Sequence, residues 1–250
     1  MNTQAHPFHP VRWLAAVLSV LVMTTITTQA ATTEVIEKTL TADPGGTLVI
    51  KVKGGSLEVT GQTGSAVEIA IKREIKASSK EAEETFLTEN PVVIEQDGNE
   101  ITISREGESG GGGGWFSSKA KEKAEYVVTV PARFHLKLNT AGGSITTANL
   151  EGNTRLNTSG GSIKMTDLRG TIQANTSGGS IRLANCHGGT VVNTSGGAIK
   201  AENGSGDLKL NTSGGSITGD AHDGTVNGRT SGGAIKVIML SPPTAPCPLA

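Results

Sequence analysis

The chain has 250 residues, with 34 Gly against 1 Tyr, 2 Trp and 4 Phe, and a formal net charge of −1. So many glycines require a backbone that bends tightly and often, and so few aromatics exclude a large aromatic-lined substrate cleft. The near-neutral charge gives no basic footprint for nucleic acid, which is excluded as a default partner.

Residues 1–30 read as a signal peptide. Arg12 precedes an apolar run from Trp13 to Met23, and Thr28-Gln29-Ala30 ends in the small residue that a signal peptidase needs. That run is short of the ~20 residues that span a bilayer, so cleavage near Ala30 is expected and no transmembrane segment should follow it. Arg12 is the only charged residue of this segment, so the mature chain would carry a net charge of −2. Export to the periplasm, the outer envelope surface or the extracellular space follows.

Residues 31–137 read as a β-rich N-terminal segment. Strands are expected over 48–52 and 67–71, and a helix over 79–87 with Ser79 as its N-cap. A hairpin over 92–103 should turn at Asp97-Gly98. A Gly-rich loop occupies 109–118, and Trp115 and Phe116 within it could anchor a partner or dock back onto the body of the protein. Strand pattern resumes over 126–130 and stops at Pro131.

The strongest signal lies in residues 138–240. Asn-Thr-Ser/Ala-Gly-Gly begins at Asn139, Asn157, Asn175, Asn193 and Asn211, with Arg229 opening a sixth copy, and the spacing is 18 residues throughout. Within each copy Gly160-Gly161 or its equivalent (Gly178-Gly179 in the next) is followed by an Ile, such as Ile163 or Ile181. A single Gly recurs at Gly152, Gly170, Gly188, Gly206 and Gly224. Each copy thus holds two corners and two short runs that alternate with period two, which places Ile172 and Ala174, or Leu208 and Leu210, on an inward face.

Such a strand pair cannot bury its apolar side alone, whereas stacking copies at about 4.8 Å closes a continuous core. The fold class expected is therefore all-β, a parallel β-solenoid (β-helix) with 18-residue coils, preceded by the degenerate β-rich segment. Variable loop lengths would have favoured the alternative, successive antiparallel hairpins. The Asn, Thr and Ser columns should form polar ladders along the axis. This reading of the Asn-Thr-Ser triplets outranks glycosylation, and a calcium roll would need an Asp in each half-coil where this chain has Ser, Thr and Asn. A degenerate copy occurs at 51–59, with Gly54, Gly55, Leu57, Val59 and Gly64 in the repeat's key places. Residues 241–250 form a Pro-rich tail that cannot continue a ladder. Export permits a disulfide between Cys186 and Cys247 without indicating one.

Candidate chemistry is sparse. His135, His187 and His222 are scattered, and no metal spacing, nucleophile elbow or phosphate loop is present, so no catalytic residue, metal or cofactor is expected. One column stands out, because Lys164, Arg182, Lys200 and Lys236 directly follow the repeated Ile on the opposite face. Stacked like charges repel. The functional reading is an anionic envelope glycan or other acidic partner that neutralises the row; the plainer one is a solvated face offset by Glu202 and Asp220.

The Asn-Thr-Ser-Gly-Gly-Ser-Ile repeats, entered through Tyr126-Val-Val-Thr-Val-Pro-Ala-Arg-Phe, resemble a bacterial exported adhesin family built on a domain of unknown function, from about Glu34 to Val237. They also resemble the head domains of auto-transporter adhesins. The resemblance implies a β-helix in the cell envelope with no cofactor and no catalytic residues to transfer, and the chain departs from it after Val237. The function expected is a non-enzymatic envelope interaction protein that binds glycans, proteins or, through its solenoid ends, its own copies. Alternatives are an ice- or crystal-surface binder using the column Thr140, Thr158, Thr176, Thr194, Thr212 and Thr230, and an enzyme acting on envelope polysaccharide.

Overall fold

The computed structural model describes residues 31–105 and 120–239. The signal peptide, the whole Gly-rich loop 109–118 with Trp115 and Phe116, Cys247 and the 241–250 tail lie outside the described residues.

Two sheets face each other across one apolar interior. The repeats set the pattern. In each, a strand of the ten-stranded sheet passes through the single-Gly corner into a strand of the nine-stranded sheet, and the Gly-Gly corner returns it. The ten-stranded sheet receives β9 (Ile145–Glu151), β11 (Ile163–Arg169), β13 (Ile181–Ala184), β15 (Ile199–Glu202), β17 (Ile217–His222) and β19 (Ile235–Met239). The nine-stranded sheet receives β8 (His135–Asn139), β10 (Thr154–Asn157), β12 (Ile172–Thr176), β14 (Thr190–Thr194), β16 (Leu208–Asn211) and β18 (Val226–Arg229). Every neighbouring pair in these series is parallel, Ile163 standing between Ile145 and Ile181 and Ala174 between Leu156 and Val192, and the register shifts only in β17 against β19, between Gly219 and His222.

Alternation puts Ile163 and Met165, then Ile181 and Leu183, into the core. One row of that core shrinks along the axis, from Met165 through Leu183 and Ala201 to Gly219.

The two corners use glycine for different reasons. Gly152, Gly170, Gly188, Gly206 and Gly224 have φ between +99° and +151°, a region costly to side-chain-bearing residues. At the other corner the reason is crowding: a Cβ on Gly161 would lie 2.0 Å from the carbonyl oxygen of Gly143, and one on Gly179 2.0 Å from that of Gly161. Their neighbours Gly160 and Gly178 have no contact closer than 3.6 Å.

The polar columns split likewise. Asn157 donates to the Asn139 side-chain oxygen at 2.8 Å, and Asn175, Asn193 and Asn211 each donate to the preceding Asn at 2.9 Å, which makes a true ladder. The Thr column makes no such ladder. Thr176 Oγ1 donates to the Gly161 carbonyl at 2.8 Å and accepts from its own Gly179 N–H at 3.3 Å, so each Thr pins one Gly corner onto the next.

The N-terminal half is woven into the same sheets. β2 (Thr47–Lys51) and β3 (Ser56–Gln62) form a coil whose Leu57 and Val59 pair with Ile145 and Thr147 of β9, as the degenerate copy implied. On its other side lie β6 (Glu100–Arg105) and β7 (Lys121–Pro131), both parallel to it. The first coil in sequence is therefore sandwiched between later ones, and no break falls at residues 137–138. Beyond β6 and β7 the pairing turns antiparallel: β4 (Ala66–Lys76) on β7, β1 (Thr32–Thr41) on β4, and β5 (Val92–Asp97) on β6. The hairpin turns at Gly98, φ +54°, as expected from Asp97-Gly98. Helix α1 (Lys80–Glu89), capped by Ser79 Oγ accepting from the Ala82 N–H, packs on β4 and β1. At this end β1 and β5 are the outermost strands of their sheets, with α1 packed against β1 and β4.

Candidate binding surface

The outer face of the ten-stranded sheet carries the cationic column. Lys164 is paired in register with Thr146 and Arg182, Arg182 with Lys200, Lys200 with Thr218, and Thr218 with Lys236. The side chains alternate with buried Ile and so point to solvent. The structure thus brings all four cations onto one column of one face, with Thr218 between Lys200 and Lys236.

Compensation is partial. Glu202, on β15, accepts from Arg182 Nη2 at 2.7 Å and from Lys200 Nζ at 2.7 Å. The hydrogen bond from Lys200, with the Arg182 charge behind it, holds the Glu202 carboxyl below its ordinary range, against a smaller opposing push from desolvation. Asp220 stands beside Glu202 in the pairing but forms no ion pair with the row. Lys164 and Lys236 are exposed and make no ion pair among the described residues.

Towards the β1 end the same column continues through Glu58 to Val127, which is 44% exposed. There an open hollow is lined by Glu37, Thr39, Glu68, Ala70, Val127 and Thr129. Nothing in the repeat pattern pointed to it, because it is built from β1, β4 and β7.

The opposite outer face, on the nine-stranded sheet, carries Lys137, Arg155 and Lys209 beside the Asn ladder. Arg155 Nε donates to Gln173 at 3.2 Å, and Gln173 and Val191 separate Arg155 from Lys209, so this row is interrupted.

The Thr column does not reach a surface. Thr158, Thr176, Thr194 and Thr212 are buried, and their hydroxyls are engaged by glycine corners. An ice or crystal face built on that column is therefore not available, since a hydroxyl held inside the coil cannot order external water. Each of the three described histidines bonds to the neighbouring coil: His135 Nδ1 accepts from the Asn153 N–H at 2.9 Å, His187 Nδ1 meets Ser205 Oγ at 2.8 Å, and buried His222 Nε2 meets the Gly206 carbonyl at 2.8 Å. Among the described residues no group of three or more His, Cys, Asp or Glu could hold a metal ion. Cys186 is a buried free thiol, its pKa pushed up to about 11 by desolvation, and its pairing with Cys247 lies outside the described residues.

One polar cluster was missed. Arg73, with no exposed surface, donates from Nη1 to Glu34 at 2.6 Å, from Nε to Glu122 at 2.7 Å and from Nη2 to the Asn90 carbonyl at 2.9 Å. Arg105 also pairs with Glu122 and lies over the Phe86 ring. A signal existed, because Val67, Ile69, Ile71, Arg73 and Ile75 share one face by period two. The cluster ties β1, β4, β6 and β7 together, with all three guanidinium nitrogens of Arg73 engaged and Nε of Arg105 buried without a hydrogen-bond partner.

Among known proteins, a family model described as Toastrack DUF4097 matches residues 46–240. Of solved structures, a "putative cell adhesion protein" from Clostridium sporogenes is 12% identical, with 82% of this chain and 99% of that one covered and a TM-score of 0.38. A "putative adhesin" from Bacteroides fragilis is 13% identical, covering 82% and 94%, with a TM-score of 0.37. A "putative lipid binding protein" from Parabacteroides distasonis is 15% identical, covering 82% and 97%, with a TM-score of 0.35. No curated protein matches.

Proposed function

As this chain belongs to the Toastrack DUF4097 family, we propose that it is an exported, non-enzymatic interaction protein of the cell envelope, adhesin-like in the manner of auto-transporter head domains. In this reading the signal peptide is removed, the solenoid of 18-residue coils is a rigid display frame, and the outer face of the ten-stranded sheet binds an anionic envelope polymer. The names borne by the adhesin-like structures agree with this reading but do not carry it.

The observation that carries it is the in-register row of three cations on consecutive coils, Lys164, Arg182 and Lys200, with Lys236 two coils further on beyond Thr218. The ion pairs to Glu202 do not disqualify the row. Exposed pairs contribute about 0–1 kcal/mol, so an arriving polyanion displaces them at little cost. Lys164 requires no displacement at all. Attraction between exposed charges is screened over about 10 Å at 0.1 M salt, so the binding should be strongly salt-dependent.

The test is retention of the mature chain, Ala31 to Ala250, on fractionated envelope polymers at low and high salt. Retention on an anionic glycan that is lost at high salt and abolished by Lys164→Glu with Lys200→Glu supports the proposal. Retention unchanged by that double substitution refutes the row, and released sugar from cell-wall material would restore the enzyme reading.

A further inference from the structure

The row that carries the cations crosses the whole outer face of the ten-stranded sheet, and its other half is acidic. Glu37 on β1 pairs with Ala70 on β4, Ala70 with Val127 on β7, Val127 with Glu58 on β3, and Glu58 with Thr146, which stands beside Lys164. Glu68 adds a third carboxylate on β4, two residues from Ala70 and on the same outward side. All three carboxylates are exposed and make no ion pair among the described residues.

One face thus holds two charge fields of opposite sign, Glu37, Glu58 and Glu68 on one half and Lys164, Arg182 and Lys200 on the other. The exposed Val127 lies within the acidic half. An anionic polymer uses the cations and leaves the acids and Val127 without a role. A surface that carries both signs in separate halves complements its own image turned end for end.

We propose that this face docks onto the same face of a second copy of the chain, with the two solenoid axes antiparallel. A two-fold axis parallel to the strands, passing between β3 and β9, lays each acidic half on the other copy's cationic half and closes the contact at two subunits. In that register Glu37 faces the partner's Lys200, Ala70 the partner's Arg182 and Val127 the partner's Lys164. Ala70 is small, so the partner's Arg182 reaches across it to Glu68, while the partner's Lys164 lays its aliphatic stem on Val127. The flanking row sets Thr39 against the partner's Glu202 and Glu68 against the partner's Ala184, so no like charges are opposed. Eight strands, β1 to β15 in sheet order, overlap. At ~4.8 Å per strand and about five residues of each, every copy covers on the order of 600 Å², below the ~800 Å² of a standard interface, so the dimer is weak and salt-sensitive. The inference shares its cations with the anionic-polymer reading but rests on the acidic half, which that reading does not use, so each can fail without the other. Where both hold, polymer and second copy compete for the row.

The experiment is sedimentation equilibrium of the mature full chain at low and high salt, with no polymer present and circular dichroism to check folding. Two variants reverse the halves separately, Glu37→Lys with Glu68→Lys and Arg182→Glu with Lys200→Glu, and a third combines all four substitutions. The expected result is a concentration-dependent dimer at low salt whose dissociation constant rises at least roughly tenfold in either double variant and returns towards the starting value in the combined one. The two double variants, mixed, should pair with each other. A chain that stays monomeric at every concentration overturns the inference. So do open-ended oligomers, a dimer indifferent to both double variants, or a folded combined variant that does not regain the dimer.

Discussion

At the scale of single residues, the glycine pair shows how stacking assigns different work to identical neighbours. Gly179 lies where a Cβ would meet backbone that cannot move aside, 2.0 Å from the Gly161 carbonyl oxygen, while at Gly178 the nearest atom is 3.6 Å away. Gly179→Ala should therefore destabilise the chain by about 1–3 kcal/mol or more, as overpacking does. Gly178→Ala should be neutral or stabilise by about 0.4–1 kcal/mol, because it restricts only the unfolded chain. Denaturation midpoints of the two variants measure the contrast, and equal losses would mean that the corners are not packed as described. The repeat makes the pair visible in the sequence, but nothing there separates its members. The same holds for Thr176, whose inward direction depends on a corner geometry that no periodicity encodes. A further residue breaks its column's habit: Asn149, Asp167, Asn185 and Asn203 occupy a left-handed position that Asn and Asp tolerate, and Ala221 sits there with φ +51°.

At the scale of elements, legibility followed the range of the interaction. The repeat strands could be read from register, the β5–β6 hairpin from Asp97-Gly98 and α1 from Ser79, because each signal is local. β1 and the sandwiching of β2 and β3 between later coils were not legible, since they depend on which edges remain free after the repeats stack. The attachment of β1 and α1 rests on Glu83, whose carboxylate accepts from Thr32 Oγ1 at 2.6 Å, Thr32 N–H at 3.1 Å and Ala77 N–H at 3.0 Å. The Thr32 hydroxyl first, then the Ala77 N–H, hold its pKa below the usual 4.5. A lowered folded pKa means that the stabilisation is complete above about pH 4.5 and is lost as pH falls through the lower folded value. Hydrogen exchange in β1 and α1 should accelerate in that acid window ahead of the central coils, and Glu83→Gln should exchange faster at neutral pH with a flatter pH response. Uniform exchange across the whole chain in acid would contradict this attachment.

At the scale of the whole molecule, a solenoid offers faces instead of a cleft. Among the described residues the interior is occupied by apolar columns, the histidines bond neighbouring coils together and the buried ionic cluster around Arg73 fastens strands, which leaves surface display as the work the architecture suits. The cationic row was legible because a fixed spacing turns sequence columns into spatial rows. Its partial neutralisation by Glu202 was foreshadowed only as a nearby charge, since the carboxylate reaches two cations through rotamers that the sequence does not specify.

Face specificity is the most direct test of the account. Lys164→Glu with Arg182→Glu alters the ten-stranded face, and Lys137→Glu with Lys209→Glu makes the same change in net charge on the other. Retention on an anionic envelope polymer at low salt should fall at least roughly tenfold for the first pair and much less for the second. Equal losses would show that binding follows net charge alone, and the assignment of a binding face would then be wrong.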